Sequence, residues 1–389
     1  MTRGAMMLII APRSVSSSRR SRLAPLVLPW CLALRAEVAG VDLRTMAQDS
    51  KLVPVLEEIM AEQGFIGFRD QGMLSGDEQV QATELFGGKR IDSRHGIHPR
   101  APNEHVFRVS NDQEHGIVGI GPLWNNDGSF LRAVFSHAAF HAIVVAQHGG
   151  GTCFSHQGAA FDRLTREEQE VWSRRVSVNS NSGIIHPLVH QHPVSGRKSV
   201  WLHLGMTGAV LEMRPGIGKV KTLSDLRLLE HDELSQLLSR YHDLLSNPAH
   251  CCEHEYAEGD FLVLDNLAVG HRASTNAHTP ASVQGLRILH RTTVAGMINF
   301  DPPDAFDVPW PDRFNAPYQL DIRGQNPFGT GVFVSGGLGF QWDPAIRMQN
   351  GTVREAHHKD YVPAFAEIAP REYDYPRPRT HFCVTNRQT

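Results

Sequence analysis

The sequence has few cysteines, little net charge and no long apolar run. Its five cysteines, Cys31, Cys153, Cys251, Cys252 and Cys383, form no C-x-x-C pair. This pattern argues against a zinc finger or a disulfide framework and is typical of a reducing compartment. The formal net charge of -3 gives no reason to expect nucleic acid as a partner. No apolar run approaches the roughly 18–20 residues of a membrane span, so we expect a cytoplasmic protein.

The N-terminal segment is unusual because it contains no acidic residue before Glu37. It does contain arginines and the cluster SVSSSRRSR (14–22), which resembles an organellar transit peptide of the mitochondrial type. Residues 1–34 are therefore interpreted either as a targeting leader or as a disordered tail. An organellar location is the alternative to the cytoplasm.

Apolar periodicity predicts most of the secondary structure. Short apolar or alternating runs predict strands at 37–43, 65–70, 141–147, 261–265 and 285–296. Apolar residues three and four apart predict a helix over 51–63. A second amphipathic helix is predicted over 224–245, with Ser224 and Asp225 as its N-terminal cap.

The distribution of these elements predicts a mostly β chain with flanking helices. Strands outnumber helices in the middle of the chain, and the turns are rich in Gly, Pro and Asn, which favours a barrel or a double-sheet core. From Asp301 onward the sequence becomes rich in proline with scattered aromatics. We therefore expect one domain over residues 35–300, followed by a loop-rich extension over 301–389 that packs on it.

Four segments carry the polar residues that indicate a site. They are WNNDGSF (124–130), GGGTCF (149–154), GDFLVLDNLAVGHRAS (259–274) and LRILHRTT (286–293). The first contains Asp127 and the third contains His271. In the fourth, Arg287 and Arg291 would share one face of a strand, whereas His290 would point to the other face. Both arginines lie among apolar residues, and a buried arginine needs an anionic partner.

In this order, the four segments resemble the taurine dioxygenase family of Fe(II)- and 2-oxoglutarate-dependent oxygenases. The resemblance extends from about Arg35 to Ile298 and includes GFIGFRDQ (64–71) and HPLVHQHPVSGRKSVWLH (186–203). It implies a double-stranded β-helix, or jelly roll, and an iron site made of two histidines and one carboxylate. It also implies 2-oxoglutarate as cosubstrate, O2, and a small anionic organic substrate that is hydroxylated. Members are often oligomeric, so a homo-oligomer is expected.

The resemblance also implies a role for individual residues. Asp127 matches the carboxylate ligand of the iron, and His271 matches the distal histidine ligand. Thr152 matches a hydroxyl donor to 2-oxoglutarate. Arg287 matches the arginine that clamps the distal carboxylate, a bidentate task that suits a planar guanidinium.

Two further residues match the substrate side of the family site. Arg291 matches a second arginine, which meets the substrate anion in members that use sulfonates. His98, in GIHPRAP, matches a substrate-side histidine of those members. The segment AHTPAS (277–282) looks like an insertion between the distal histidine and the arginine pair.

Asn125 is the point where the sequence departs from the family. The family pattern is W-H-x-D, and here it reads W-N-N-D. Asn can offer only a neutral amide oxygen, which is a weaker ligand for Fe(II) than imidazole. Three interpretations stay open: Asn125 ligates weakly, another histidine such as His98, His115 or His137 replaces it, or the iron site is lost.

These interpretations lead to three hypotheses about function. The first is a 2-oxoglutarate-dependent dioxygenase, and the second is an inactive family member that binds 2-oxoglutarate or a partner without turnover. The third is a cupin-like enzyme that does not use 2-oxoglutarate, which leaves the arginine pair unexplained. The histidines His186, His190 and His192 belong to a family hairpin and are interpreted as structural.

Overall fold

The computed structural model describes residues 26–31, 34–46, 51–87, 97–179, 184–221 and 225–296. Most of the predicted leader, 1–34, and all of the predicted extension, 301–389, lie outside the described residues. The strands are β1 (Leu26–Cys31), β2 (Arg35–Ala39), β3 (Phe65–Phe68), β4 (Phe107–Ser110), β5 (His137–Val144), β6 (Thr152–His156), β7 (Arg175–Asn179), β8 (Ile185–Pro187), β9 (Val189–Gln191), β10 (Lys198–Val200), β11 (Thr207–Met213), β12 (Leu226–Leu228), β13 (Cys251–His254), β14 (Phe261–Asp265), β15 (Val269–Ala273) and β16 (Ile288–Val294). The helices are α1 (Leu52–Gln63), α2 (Gly76–Thr83), α3 (Gln157–Asp162), α4 (Arg166–Trp172), α5 (His231–Leu245) and α6 (Ala281–Gln284).

The largest sheet has seven strands in the order β1-β2-β3-β14-β5-β16-β4. The pair β2–β3 is parallel, and β14 and β16 pair antiparallel with β5 on its two sides. Every residue of β14 is buried, as expected for a continuous apolar run at the centre of a sheet. In this sheet, Arg291 lies within β16, and Arg287 lies immediately before its first residue, Ile288.

Smaller sheets complete the β structure. Their orders are β12-β11-β7-β8, β13-β6-β15 and β10-β9. The three-stranded sheet packs on the large one through Phe154 of β6, whose ring centroid lies 4.3 Å from that of Phe65 and 6.4 Å from that of Phe140. Because β6 pairs with β15, His271 lies opposite Phe154 and Ala273 lies opposite Thr152. The predicted mostly β architecture with flanking helices is confirmed.

Several predicted elements are found with shifted ends. Helix α1 and strands β3, β14 and β16 lie within the predicted ranges. Strand β5 begins at His137, four residues before the predicted start, because the small residues Ala138 and Ala139 pair with β14. Strand β2 ends before Gly40, whose φ of +75° turns the chain out of the sheet.

The predicted helix over 224–245 is wrong in its first third. Residues Leu226–Leu228 form a strand that pairs with Leu211–Met213 of β11, and the helix begins at His231. Its N-terminus is a capping box in which Glu233 accepts a hydrogen bond from the backbone of Glu230. Asp225 accepts from the backbone N–H of Lys221 instead, and Ser224 lies outside the described residues.

No helix in the described part of the chain is long and apolar enough to cross a membrane. The three described cysteines with placed side chains, Cys153, Cys251 and Cys252, form no disulfide bond. The cytoplasmic or organellar location, the homo-oligomer and the absence of a nucleic-acid partner stay predictions.

Candidate active site

The turn that carries Asp127 is held in place by Asn266, the residue after β14. The Asn266 side chain accepts a hydrogen bond from the backbone N–H of Asp127 at 2.9 Å. It also donates to the backbone oxygens of Asp127, at 2.8 Å, and Phe135, at 2.7 Å. Gly128 has a φ of +78°, and a Cβ there would lie 2.8 Å from the backbone nitrogen of Phe135. The turn therefore requires glycine on both conformational and steric grounds.

The Asp127 turn pairs directly with the strand that carries His271. The backbones of Asn125 and His271 exchange two hydrogen bonds, of 2.9 Å and 3.0 Å. This pairing brings Nε2 of His271 to 3.9 Å from Oδ2 of Asp127. Both side chains are buried, and neither Oδ2 of Asp127 nor Nδ1 of His271 has a hydrogen-bond partner.

This pair fits a divalent metal. Nitrogen and oxygen ligands bind such ions at roughly 2.1 Å each, so two ligands of one ion lie at most about 4.2 Å apart. Burial lowers the pKa of His271, against the opposing effect of the Asp127 carboxylate, so the imidazole is neutral near pH 7 and has a lone pair to offer. The structure thus brings together the two residues that the sequence predicted as iron ligands.

The side chain of Asn125 is occupied by the backbone. Its Nδ2 donates to the backbone oxygens of Leu123 and His271, both at 2.9 Å. Because both partners are acceptors, the orientation of the amide is fixed and only Oδ1 could reach a metal. Within the described ranges, no three His, Cys, Asp or Glu side chains already lie together in an arrangement that could hold a metal ion.

Arg291 makes a contact that the sequence did not indicate. Its Nη1 donates to Oδ1 of Asp127 at 2.7 Å, and its guanidinium lies over the ring of Phe107, 4.7 Å from the centroid. Its Nε is buried without a hydrogen-bond partner. Arg291 therefore neutralises one oxygen of Asp127 and keeps a further donor. The predicted contact of Arg291 with a substrate anion stays a prediction.

Arg287 is a buried cation without an acidic partner. It is 6% exposed, and its Nε donates to the backbone oxygen of Gly150 at 2.6 Å. Among the described residues, no Asp or Glu forms an ion pair with it, and burial lowers the pKa of its guanidinium. A buried charge of this kind is unfavourable unless an anion is supplied.

Thr152 and Tyr256 lie beside Arg287. The hydroxyl of Tyr256 donates to Oγ1 of Thr152 at 2.9 Å, and burial raises the pKa of Tyr256 to about 12. The hydroxyl proton of Thr152 is therefore left for another acceptor. Tyr256, Arg287 and Gly150 line one small cavity. Sequence reasoning did not identify Tyr256, because nothing in its local sequence distinguishes it from a packing residue.

The predicted insertion, 277–282, lies close to two residues that line this cavity, Gly150 and Arg287. Asn276, just before it, accepts a hydrogen bond from the backbone N–H of Gly150 at 3.2 Å. Burial, and then the charge of the Arg287 guanidinium, lower the pKa of His278. The insertion therefore does not displace Arg287 from the site.

The three histidines proposed as substitutes for Asn125 have other surroundings. The ring of His98 contacts the backbone oxygen of Gln113 and the backbone N–H of Arg100, so it is engaged within its own loop. Nδ1 of His115 lies 3.1 Å from Oδ1 of Asp112. His137 is buried beside Phe86, with 6.2 Å between ring centroids. The substrate-side role of His98 stays a prediction.

Two histidines of the hairpin segment, His186 and His192, fit a structural role, and that of His190 stays a prediction. Nε2 of His186 lies 3.0 Å from the backbone oxygen of Ser129. Nε2 of His192 lies 3.0 Å from Oδ2 of Asp265 in a buried pair. Each ring therefore bonds to the segments that surround the site and does not point into it.

His203, at the end of the same segment, is a residue that sequence reasoning missed. Its Nδ1 is buried and has no hydrogen-bond partner. Burial lowers its pKa to about 3, and the charges of Asp127 and His271 act on it in opposite directions. Leu204, the next residue, donates its backbone N–H to the oxygen of Trp124 at 3.0 Å, so His203 lies close to the segment that carries Asp127. The sequence WLH shows only an apolar strand end, and nothing in it indicates the turn against which His203 packs.

Comparison with known proteins places this site in a family. The model of the taurine catabolism dioxygenase TauD, TfdA family matches residues 23–293, and the chain belongs to this family. The predicted enzyme class, a dioxygenase dependent on Fe(II) and 2-oxoglutarate, is confirmed by this membership. The match ends within β16, so the family covers the described domain.

Two relatives carry names that state an organic anion as substrate. One is an alpha-ketoglutarate-dependent 2,4-dichlorophenoxyacetate dioxygenase of Cupriavidus pinatubonensis, 27% identical over 61% of this chain and 88% of the relative. Another is an alpha-ketoglutarate-dependent sulfonate dioxygenase of Saccharomyces cerevisiae, 25% identical over 66% of this chain and 64% of the relative.

Solved structures support the fold. A taurine dioxygenase from Burkholderia xenovorans superposes with a TM-score of 0.57 at 20% identity, covering 72% of this chain and 92% of that one. The crystal structure of AAD-2 in complex with Mn(II) and N-oxalylglycine gives a TM-score of 0.55 at 21% identity, covering 72% of this chain and all of that one, 100%.

Proposed function

We propose that this chain is a 2-oxoglutarate-dependent dioxygenase that hydroxylates a small organic anion, with Asp127 and His271 as iron ligands. We further propose that its sheets form the double-stranded β-helix of the family, which the likeness to two crystal structures supports. The observation that carries the proposal is the buried guanidinium of Arg287, which forms no ion pair with a described acid and lies four residues before Arg291, the partner of Asp127. A dicarboxylate cosubstrate supplies both the missing anion and a metal-binding end.

Each residue has a task that follows from its contacts. Asp127 presents Oδ2 to the metal while Arg291 holds Oδ1, so the carboxylate binds through one oxygen and its orientation is fixed. His271 offers a neutral imidazole. When bound, Fe(II) supplies the activation of O2 that is coupled to decarboxylation of 2-oxoglutarate. The burial of both ligands keeps bulk water away from the metal.

The cosubstrate pocket is formed by Arg287, Thr152 and Tyr256. Arg287 receives the distal carboxylate of 2-oxoglutarate, and Thr152 donates its hydroxyl proton to the same group while it accepts from Tyr256. The short contact between Arg287 and Gly150 fixes the direction of the guanidinium. Recognition of the distal carboxylate by a planar, charged donor is directional and strong.

A binding protein without turnover is the second candidate, and one observation favours it. The Arg291–Asp127 contact puts a protein cation on the carboxylate, and Asn125 uses its amide on the backbone. If this arrangement persisted in the presence of Fe(II), the chain would bind 2-oxoglutarate through Arg287 without a working metal centre.

An anaerobic Fe(II) titration of the full chain, with and without 2-oxoglutarate, tests the proposal. We expect micromolar Fe(II) binding and a visible charge-transfer band that appears only with 2-oxoglutarate. Asp127→Asn should abolish the band, because it removes the anionic ligand. The matched variant Asp112→Asn, in the His115 surface pair, should leave the band unchanged. If wild type shows no band and Asn125→His does, the native chain has lost its metal centre and the binding-protein candidate replaces the enzyme.

A further inference from the structure

We propose that His203 supplies the third protein ligand of the metal in this chain, the one that Asn125 does not provide. This inference rests on the proposed function, since it concerns the same metal centre. It restores two imidazoles and one carboxylate by taking the second imidazole from a different segment. The argument has three steps, which concern where His203 lies, what its ring can offer, and whether it has room to move.

The turn that begins at His203 runs alongside the turn that carries Asp127. The backbone oxygen of His203 accepts from the N–H groups of Met206, at 3.1 Å, and Thr207, at 2.9 Å. Leu204 donates its backbone N–H to the oxygen of Trp124 at 3.0 Å. At the other end, the hydroxyl of Ser129 donates to the sulfur of Met206 at 3.8 Å.

These two contacts flank the ligand segment on both sides of Asp127. Leu204 is joined to the residue before Asn125, and Met206 is joined to the second residue after Asp127. Leu204 and Trp124 are buried in the same apolar cluster. His203 is the residue before Leu204, and Asn125 is the residue after Trp124. His203 and Asn125 therefore both lie at the edge of this cluster.

The ring of His203 can serve as a ligand. Its Nδ1 and Oδ2 of Asp127 are both buried without a hydrogen-bond partner. A buried polar atom left unpaired is unfavourable, and coordination of both atoms to one metal ion would remove that penalty.

Two other hairpin histidines differ from His203. His186 and His192 already bond through a ring nitrogen to the Ser129 backbone and to Asp265. Of the three histidines named earlier as substitutes for Asn125, His115 already contacts Asp112. His203 combines an unpaired ring nitrogen with a position beside the segment of Asn125.

Coordination requires the His203 ring to turn, because no three candidate ligands in the described part of the chain are yet in a metal-binding arrangement. Two features leave room for this rotation. Gly205 has no side chain, and a Cβ there would lie 3.5 Å from Cε1 of His203. Asn125 is shorter than histidine and is folded onto the backbone, so it leaves the volume that a motif imidazole would take.

Co(II) loaded under anaerobic conditions is the probe for this proposal. Each coordinated histidine gives one strongly shifted, exchangeable N–H signal in the proton NMR spectrum, so the signals count the histidine ligands without any turnover. Wild type should show two such signals. His203→Asn should show one and should bind Co(II) at least about tenfold more weakly. The matched variant His115→Asn should keep both signals and the wild-type affinity.

The double variant Asn125→His/His203→Asn keeps the test independent of folding defects. It should regain the second signal and most of the affinity, because it returns an imidazole to the motif position. One signal in wild type, with unchanged Co(II) affinity in His203→Asn, would overturn the role of His203 and leave the proposed function standing. Absence of Co(II) binding in wild type, with binding in Asn125→His, would overturn the proposed function as well.

Discussion

Arg287 and Arg291 lie four residues apart, yet they have different partners. Arg291 pairs with Asp127, whereas the guanidinium of Arg287 donates to the backbone oxygen of Gly150 and forms no ion pair with a described Asp or Glu. We expect Arg287→Lys to weaken 2-oxoglutarate binding by about 5- to 30-fold, or about 1–2 kcal/mol, because lysine keeps the charge and loses the planar fork. Calorimetric titration of N-oxalylglycine into Co(II)-loaded protein measures this.

The matched control is Arg272→Lys. Arg272 lies next to His271 in β15, but its guanidinium lies over Trp124, 5.2 Å from the ring centroid. N-oxalylglycine affinity should change little in this variant, and Co(II) affinity should be retained in both. Equal losses of N-oxalylglycine affinity in the two variants would contradict a specific role for Arg287.

Gly128 offers a second prediction at the residue scale. Gly128 and Gly216 have nearly equal φ values, +78° and +80°, so alanine pays a similar backbone strain of about 1 kcal/mol at both. Only at Gly128 does the added Cβ meet backbone, 2.8 Å from the nitrogen of Phe135. We expect urea denaturation to show a larger loss of stability for Gly128→Ala than for Gly216→Ala. Co(II) affinity should fall only in Gly128→Ala, and similar behaviour of both variants would contradict the steric argument.

The sequence predicted part of this site because its motifs, in their order, resemble those of a family, and the resemblance implies which segments meet. Asp127 and His271 were expected together and lie 3.9 Å apart. The Arg291–Asp127 contact joins residues 164 positions apart, and His203 reaches the site through a turn with no motif. Such contacts depend on how sheets pack on one another, which local periodicity does not encode.

At the scale of elements, the helical spacing of apolar residues in 224–245 extends beyond the N-terminus of the helix, which begins at His231. Leucines in LRLLEHDELSQLL fit a helical spacing throughout, but Leu226–Leu228 can also pair with the edge of β11, and tertiary pairing prevails. The helix starts where Glu230 and Glu233 form a capping box. Strands with a fully buried run, such as β3 and β14, were predictable because no alternative element fits their length.

Glu233 has two separable roles at the start of α5. It accepts from the Glu230 backbone and also pairs with Arg227, at 2.7 Å. The hydrogen bond from the Arg227 side chain is the main cause that lowers the pKa of Glu233 to about 2. Glu233→Gln keeps an acceptor for the capping box and loses the charge, whereas Glu233→Ala loses both.

We expect thermal or urea denaturation to rank the stabilities as wild type, Glu233→Gln and then Glu233→Ala. The total loss should be about 0.5–2 kcal/mol, since the pair is partly exposed. High salt should reduce the difference between wild type and Glu233→Gln. The same loss in both variants would mean that the capping bond contributes nothing measurable.

At the scale of the whole molecule, buried histidines control the response to acid. Burial lowers the pKa of His156 and His186 to about 4, and of His190 and His290 to about 3. In the unfolded chain these groups take up protons near pH 6.5, whereas in the folded chain they stay neutral until much lower pH. Protonation below pH 6.5 therefore favours the unfolded state.

The free energy of unfolding should accordingly fall as the pH drops from about 6.5 towards 4. Each such histidine contributes about 1 kcal/mol per pH unit in that window. Urea denaturation at pH 7.5, 6.5, 5.5 and 5.0 measures the slope. Stability that stays constant between pH 6.5 and 5.0 would show that these histidines are not held neutral.

The backbone pairing of Asn125 with His271 has a consequence for synthesis of the chain on the ribosome. Asp127 emerges long before His271, the other proposed ligand, because 146 residues separate Asn125 from His271. At about 5–20 residues per second, that interval lasts roughly 7–29 s. With the ligands proposed above, the growing chain cannot complete this metal site until β15 has been made, so metal loading would be a late event in the biogenesis of this protein.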